Sequence, residues 1–359
     1  MRLGFFIMLG GACAFITAGC SSTPLVVTPS GGTPGTAMLN QLHTITTLAS
    51  TVDPVNGDQN PYGLAVAPAS AGQVAAGDLI VCNFNDAANV QGNGTTIVGL
   101  APVAGAAPFR IAQDARLKGC DALSIDPATG NIWTANLQAN DVAIFSPGGA
   151  FLEKSPYSVN LPWGMIEAGH AGATVFFQSN SADGTIDRLT AVNGVPAAQT
   201  QIAQGFSVNH GVPGTVLAPA GLTYDPSLDT LYVVDGNADR VVALGHASQI
   251  AANGVVVTGS GFSGPSAANA SVIASGGAID DPISSALLPN GDVVIGDADP
   301  NGPNVLVEIS PTLGIVATKN VDSGPSGALF GVAVSGTNAS NVQIFFNDDN
   351  TNTVNALSR

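Results

Sequence analysis

Residues 221–244 read GLTYDPSLDTLYVVDGNADRVVAL, and the way this stretch divides decides the fold. GLTY and TLYVV are short apolar runs with aromatic and β-branched residues, the composition of half-buried strands. DPSLD between them is turn chemistry, because proline presets φ and Asp bonds its own backbone. A second polar cluster, DGNAD, leads into a third run, RVVAL. Asp, Asn and Gly tolerate the left-handed backbone that a tight hairpin needs. The plain reading is strand, turn, strand, polar hairpin, strand. Whether DGNAD also holds a ligand or metal is the question that follows.

The same order of runs recurs along the chain. Opening runs stand at NPYGLAVAP (60–68), GCDALSIDP (119–127), LPWGMIEAG (161–169), APAGLTYDP (218–226), DPISSALLP (281–289) and ALFGVAVSG (328–336). Each leads through a turn to a second run that ends in Asn, Asp or Gln, as in DLIVCNFND, NIWTANLQAND and VQIFFNDDNTN, and then to a third. The copies lie roughly 40 to 60 residues apart, the repeat length of propeller blades. One such meander cannot bury both faces, but a ring of them can. The sequence therefore predicts an all-β fold over 41–359, a six-bladed β-propeller of four-stranded antiparallel blades. The last copy stops after its third run, and HTITTLAS (43–50) alternates like a strand. It is expected to complete the last blade and close the ring, leaving no free edge. AAQTQIAQGFSVNHGVPGT (197–215) and NGVVVTGSGFSGPSAANASVIAS (253–275) read as inter-blade insertions, the second long enough to conceal a seventh blade.

Composition narrows the function classes. Charged residues are 9% of the 359, with three Lys, six Arg and a net charge of −16. No basic stripe exists, which argues against nucleic acid as a partner. Asp (22) far outnumbers Glu (Glu153, Glu167 and Glu308), and Gly (44) and Pro (23) are abundant, a balance that suits turns over helix interiors.

The first 19 residues read as an export signal: Arg2, then LGFFIMLGGACAFITA, too short and too rich in Gly and Ala for a membrane span. ITAGC resembles a bacterial lipobox, with Thr17 where Leu is usual. The resemblance implies that Cys20 is lipidated and begins the mature chain. SSTPLVVTPSGGTPGT then forms part of a flexible tether over 20–40. This places the protein in the bacterial cell envelope, with the outer membrane and periplasm favoured and membrane contact through the lipid alone. A plain secretory signal is the alternative. Cys82 and Cys120 remain as a candidate disulfide in an oxidising compartment, or as two buried thiols.

LYVVDGNADRVVAL is similar to an NHL-type propeller repeat. Asp235, Arg240 and Val241 match the family's spacing, as do the Pro-x-Gly openings Pro61/Gly63, Pro162/Gly164 and Pro219/Gly221. The resemblance implies six blades and little about activity. The fold class also includes gluconolactonase-type and paraoxonase-type lactonases, which hold a divalent cation in the channel through Glu, Asn and Asp from different blades. Of the three glutamates only Glu167 stands in an inner run, and His170, His210 and His246 sit in unlike contexts.

Two further patterns bear on a site. GDADPNGPNVLVEIS places Asp297, Asp299, Asn301, Gly302 and Glu308 in the spacing of a calcium-binding loop, although the turn formers Asp299-Pro300 and Gly302-Pro303 explain it without metal as a plain hairpin, the favoured reading. Calcium is the cofactor this implies. Tyr62, Trp163 and Phe330 share one repeat position beside Asn83, Asn136, Asn180, Asp235 and Asn347. Together they suit a small polar ligand such as a sugar, or else pack blade against blade. The function expected is a cell-envelope binding or interaction module whose partner is a small polar ligand or an envelope protein. The alternative is a metal-dependent, lactonase-like hydrolase.

Overall fold

The computed structural model describes residues 37–169, 173–259, 261–297 and 302–359. The export signal, Cys20, most of the tether, His170, Asp299 and Asn301 lie outside the described residues. Six antiparallel sheets form a ring. Blade 1 runs Gln59–Val66, Leu79–Asn85, Thr96–Leu100, Phe109–Gln113, and blade 2 runs Cys120–Ile125, Ile132–Asn136, Asp141–Phe145, Phe151–Lys154. Blade 3 runs Pro162–Glu167, Thr174–Asn180, Thr185–Val192, Val195–Gln204, and blade 4 runs Pro219–Asp225, Thr230–Asp235, Arg240–Gly245, Ala270–Ser275. Blade 5 runs Pro282–Leu287, Val293–Asp297, Asn304–Ser310, Gly314–Asp322. Blade 6 takes Val332–Ser335, Gln343–Asp348 and Thr353–Ser358 from the end of the chain and Thr44–Ser50 from the beginning.

The closing strand takes the expected place, although its burial does not alternate: Ile45 is exposed, Leu48 and Ala49 are both buried, and a bulge falls between Thr47 and Ala49. Thr44 pairs with Ser358 and Ser50 with Thr353, antiparallel along the outer edge of blade 6. The two supposed insertions are a correction. TQIAQ within the first is the outer strand of blade 3, and ASVIAS at the end of the second is the outer strand of blade 4. Between them Val255–Thr258 crosses back to pair in parallel with Ala203 and Gln204, and Gly261–Ser263 adds to it. Blade 3 is thus a four-stranded blade extended by two short strands, and no seventh blade forms among the described residues.

The core lies between blades. One apolar cluster fills each of the six blade-to-blade interfaces. A seventh, including Tyr62, Phe84, Trp163, Ile283 and Phe330, lies near the axis. Inner strands of neighbouring blades come close at Pro-x-Gly. A Cβ on Gly221 would fall 2.7 Å from the Cα of Ser284 in the next blade, and one on Gly164 would run into the carbonyl oxygen of Ala220. Glycine at these openings therefore serves close approach, with no need of a special φ.

Residues 37–42 dock on the blade 5–6 interface, with Leu39 and Leu42 buried. Their anchor is Glu308, which is 0% exposed. Its carboxylate accepts the amide N–H groups of Met38 (2.9 Å) and Leu39 (2.8 Å). Among the described residues the helices are single short turns, and no helix is long and apolar enough to cross a membrane.

Candidate functional site

In blades 2, 3, 4 and 6 the polar hairpin between second and third strands ends in a left-handed residue: Asn140, Gly184, Asp239 and Asn352 (φ 54, 67, 46 and 52°). That is what the Asn/Asp/Gly clusters supply, so DGNAD is first of all a way of joining two strands. Within it Arg240 donates through Nε to Asp235 at 2.8 Å, the spacing that resembles an NHL repeat.

The predicted amides and acids are turned inward and engaged. Pro61, Cys120, Pro162, Pro219 and Pro282 pair with Asn83, Asn136, Asn180, Asp235 and Asp297, and a bulge follows each on the inner strand. Asn83 donates to the Thr51 carbonyl and the Thr96 hydroxyl, and Asn136 donates to Asp141. Asn180 donates to Thr185 and Asp187, and Asn347 donates across the ring joint to the Tyr62 carbonyl. All are buried. Burial raises the Asp235 carboxyl above its usual range despite the Arg240 bond, and raises Asp187 despite its bonds from Asn180 and Gln199. Asn180 also borders an open polar hollow of about 590 Å³ on blade 3, with Tyr157, Asn160, Asp183, Asp187 and Gln199.

The calcium spacing does not close into a loop through Glu308. Glu308 pairs with Val294, three residues down the strand from Asp297, so the two lie about 10 Å apart along it. The glutamate is occupied by the two amides of residues 38 and 39. Carboxylates meet elsewhere. Oxygens of Asp239, Asp280 and Asp281 lie within 4.8 Å of one another, where the blade 4 hairpin faces the start of blade 5, and could hold a metal ion. Their separation over two repeats hid this grouping from sequence reading. Cys82 and Cys120 are joined as a disulfide with Cα atoms 5.9 Å apart, tying the inner strand of blade 2 to blade 1.

The three predicted aromatics do come together, but at the axis. Tyr62 is sandwiched between Phe84 (centroids 4.2 Å) and Phe330 (3.9 Å), and Trp163 lies in the same cluster. Tyr62 and Trp163 are 1% and 5% exposed, so the rings close this end of the channel and leave little for a surface ligand to touch. The six residues at the opening of the inner strands are Tyr62, Asp121, Trp163, Ala220, Ile283 and Phe330. Five are apolar or aromatic, and the sixth, Asp121, is the residue sequence reading missed. Aligning the six openings would have exposed it as the odd member. Asp121 is 4% exposed, and among the described residues neither carboxyl oxygen has a hydrogen-bond partner. Burial pushes its carboxyl well above the usual carboxylate range. The Tyr62 hydroxyl, likewise unpartnered, is raised by burial and by the fields of Asp121 and Asp349.

A lactonase-type metal needs oxygen or nitrogen donors from several blades converging on the axis. At this level the ring offers one carboxyl and a phenol among hydrocarbon side chains, so the residues do not fit such an ion here.

No protein-family model and no curated protein matches this sequence. Solved structures share its fold. The nidogen/laminin complex superposes with a TM-score of 0.54 at 14% identity, covering 78% of this chain and 87% of that one. A catalytically inactive virginiamycin B lyase from Staphylococcus aureus with quinupristin gives 0.51 at 13%, covering 88% and 99%. A gluconolactonase from Xanthomonas campestris gives 0.54 at 12%, covering 84% and 87%. At such identities the likeness establishes the fold, and the chain is a six-bladed β-propeller.

Proposed function

We propose that this propeller is an exported binding module of the bacterial cell envelope, tethered by lipid on Cys20, with the outer membrane and periplasm as its place. The observation that carries the non-catalytic reading is the axial ring. Its hydrocarbon and aromatic residues leave one acid where an enzyme of the lactonase kind gathers several donors. An envelope protein, or a small polar ligand in the blade 3 hollow, is the partner this reading implies. Calcium, the ion expected from sequence, would find its best carboxylate set at Asp239, Asp280 and Asp281, where it would staple blade 4 to blade 5. The rival, a metal-dependent lactone hydrolase, is supported by the likeness to a gluconolactonase fold.

Two measurements separate these readings. Palmitate labelling in a bacterial host should mark the wild type and not Cys20→Ser, and the variant should leave the membrane fraction. An unlabelled, soluble wild type would overturn the anchor. Purified protein supplied with calcium, manganese or zinc should turn over no lactone in a broad panel. Hydrolysis above background would put the enzyme first.

A further inference from the structure

Asp121 is a group the fold does not use. Among the described residues it has no hydrogen-bond or ion-pair partner, and Ile283 fills the corresponding place in blade 5 without any polar side-chain atom. Burying an unpartnered carboxyl costs stability and returns no bond. Such a group makes physical sense when a ligand supplies the missing partner.

Its surroundings say what kind of ligand. Asp121 lines a cavity of about 60 Å³ just beneath the ring, together with Tyr62, Trp163 and Phe330. That volume takes a small head group or a few waters. The cavity continues along the axis into a wider one of about 340 Å³, since both are bordered by Leu64, Leu123, Met165, Leu222, Ser285 and Val332. The wider cavity is walled mostly by aliphatic side chains and reaches Glu167 and Tyr224 toward the other mouth. No Lys, Arg or His lines either cavity among the described residues. A carboxyl in a cavity with no other charged side chain among the described residues favours a cation. An aliphatic tube behind it favours an apolar body.

We propose that the axial channel binds a primary ammonium ion with an apolar tail, its charged head against Asp121 beneath Tyr62, Trp163 and Phe330 and its tail in the wider cavity. The head replaces the partner that Asp121 lacks. A carboxylate ligand brings no cation to offset the cost of ionising Asp121 in its buried site, and an alcohol of equal length gains only the burial of its tail. This site is independent of the export and lipid reading, and of the blade 3 hollow.

Calorimetry on the full-length protein with n-hexylammonium, 1-hexanol and hexanoate tests it. Hexylammonium should bind tightest and hexanoate not at all. Lengthening the amine from methyl to hexyl should tighten binding by about fourfold per methylene. Asp121→Asn should weaken hexylammonium roughly thirtyfold or more and leave 1-hexanol unchanged. Equal affinity for amine and alcohol, a flat chain-length series, or an Asp121→Asn variant that binds the amine like wild type would each overturn the proposal. The first two readouts need only the wild type, so they stand even if the variant does not fold.

Discussion

Glu308 gives the sharpest stability prediction. In Glu308→Ala the amides of Met38 and Leu39 lose their acceptor. A buried donor left without a partner costs about 1–3 kcal/mol. If the segment stays docked, the loss is therefore roughly 2–6 kcal/mol. If it peels away, burial of Leu39 and Leu42 is lost at about 1.5–3 kcal/mol each, but about 1–2 kcal/mol of chain entropy is regained per freed residue, so release of the segment limits the loss. The expected destabilisation is therefore about 2–3 kcal/mol, the low end of the docked range, because release caps it. Glu308→Gln keeps one acceptor oxygen and should lose about half as much. Urea unfolding followed by the fluorescence of Trp133 and Trp163 measures both, and proteolysis near residue 40 reports whether the segment has let go. A Glu308→Ala loss under about 1 kcal/mol, or a Gln variant as damaged as the Ala variant, would refute the clamp. The pair also has a pH signature. Burial, then the hydrogen bond and charge of Glu308, push the neighbouring Asp292 up to about 6. A folded value above the unfolded one of about 3.9 means that this contribution is present below pH 4 and is lost as pH rises toward 6. Glu308→Gln should flatten that decline, and an unchanged slope would count against the coupling.

Three other outcomes follow from the geometry. Gly164→Ala should destabilise by about 1–3 kcal/mol in the same urea assay, because its Cβ meets backbone of the next blade that cannot move alone. Replacing Cys82 and Cys120 by Ser should lower stability by about 4 kcal/mol in the chain-entropy account of the loop, and adding reductant to the wild type should reproduce it. Asp53 receives Arg110 and the turn amides of Val55 and Asn56. Burial raises its carboxyl, but these bonds outweigh burial and hold it below its usual value. Its contribution is therefore full above about pH 4 and fades as pH falls through the lowered value. Arg110→Ala should remove that acid-side loss together with about 2 kcal/mol at pH 7.

Much of the fold was legible because each blade repeats a local pattern. Strand, turn and hairpin chemistry are decided within a few residues, and alternation in HTITTLAS already marked a strand in search of an edge. What the sequence hid depends on neighbours distant along the chain. VVVT pairs in parallel with the end of blade 3 because the ring brings that edge within reach, and no local propensity announces it. Tyr62, Trp163 and Phe330 were rightly seen as sharing a position, but whether that position meets solvent or the axis is set by six blades together. Asp121 looked ordinary inside GCDALSIDP; only its company at the ring makes it unusual. Glu308 matched a loop pattern by spacing, while the register carried it down the strand to amides near the start of the chain.

The Thr44–Ser50 strand has a consequence for biogenesis. Among the described residues it is the first strand to be synthesised, and its partner is the last. No shorter length of chain can complete blade 6, so the ring cannot shut until Thr353–Ser358 has been made. On the exported reading proposed above, that delay is useful, because the segment that would lock the structure has nothing to lock onto while the rest is still crossing a membrane.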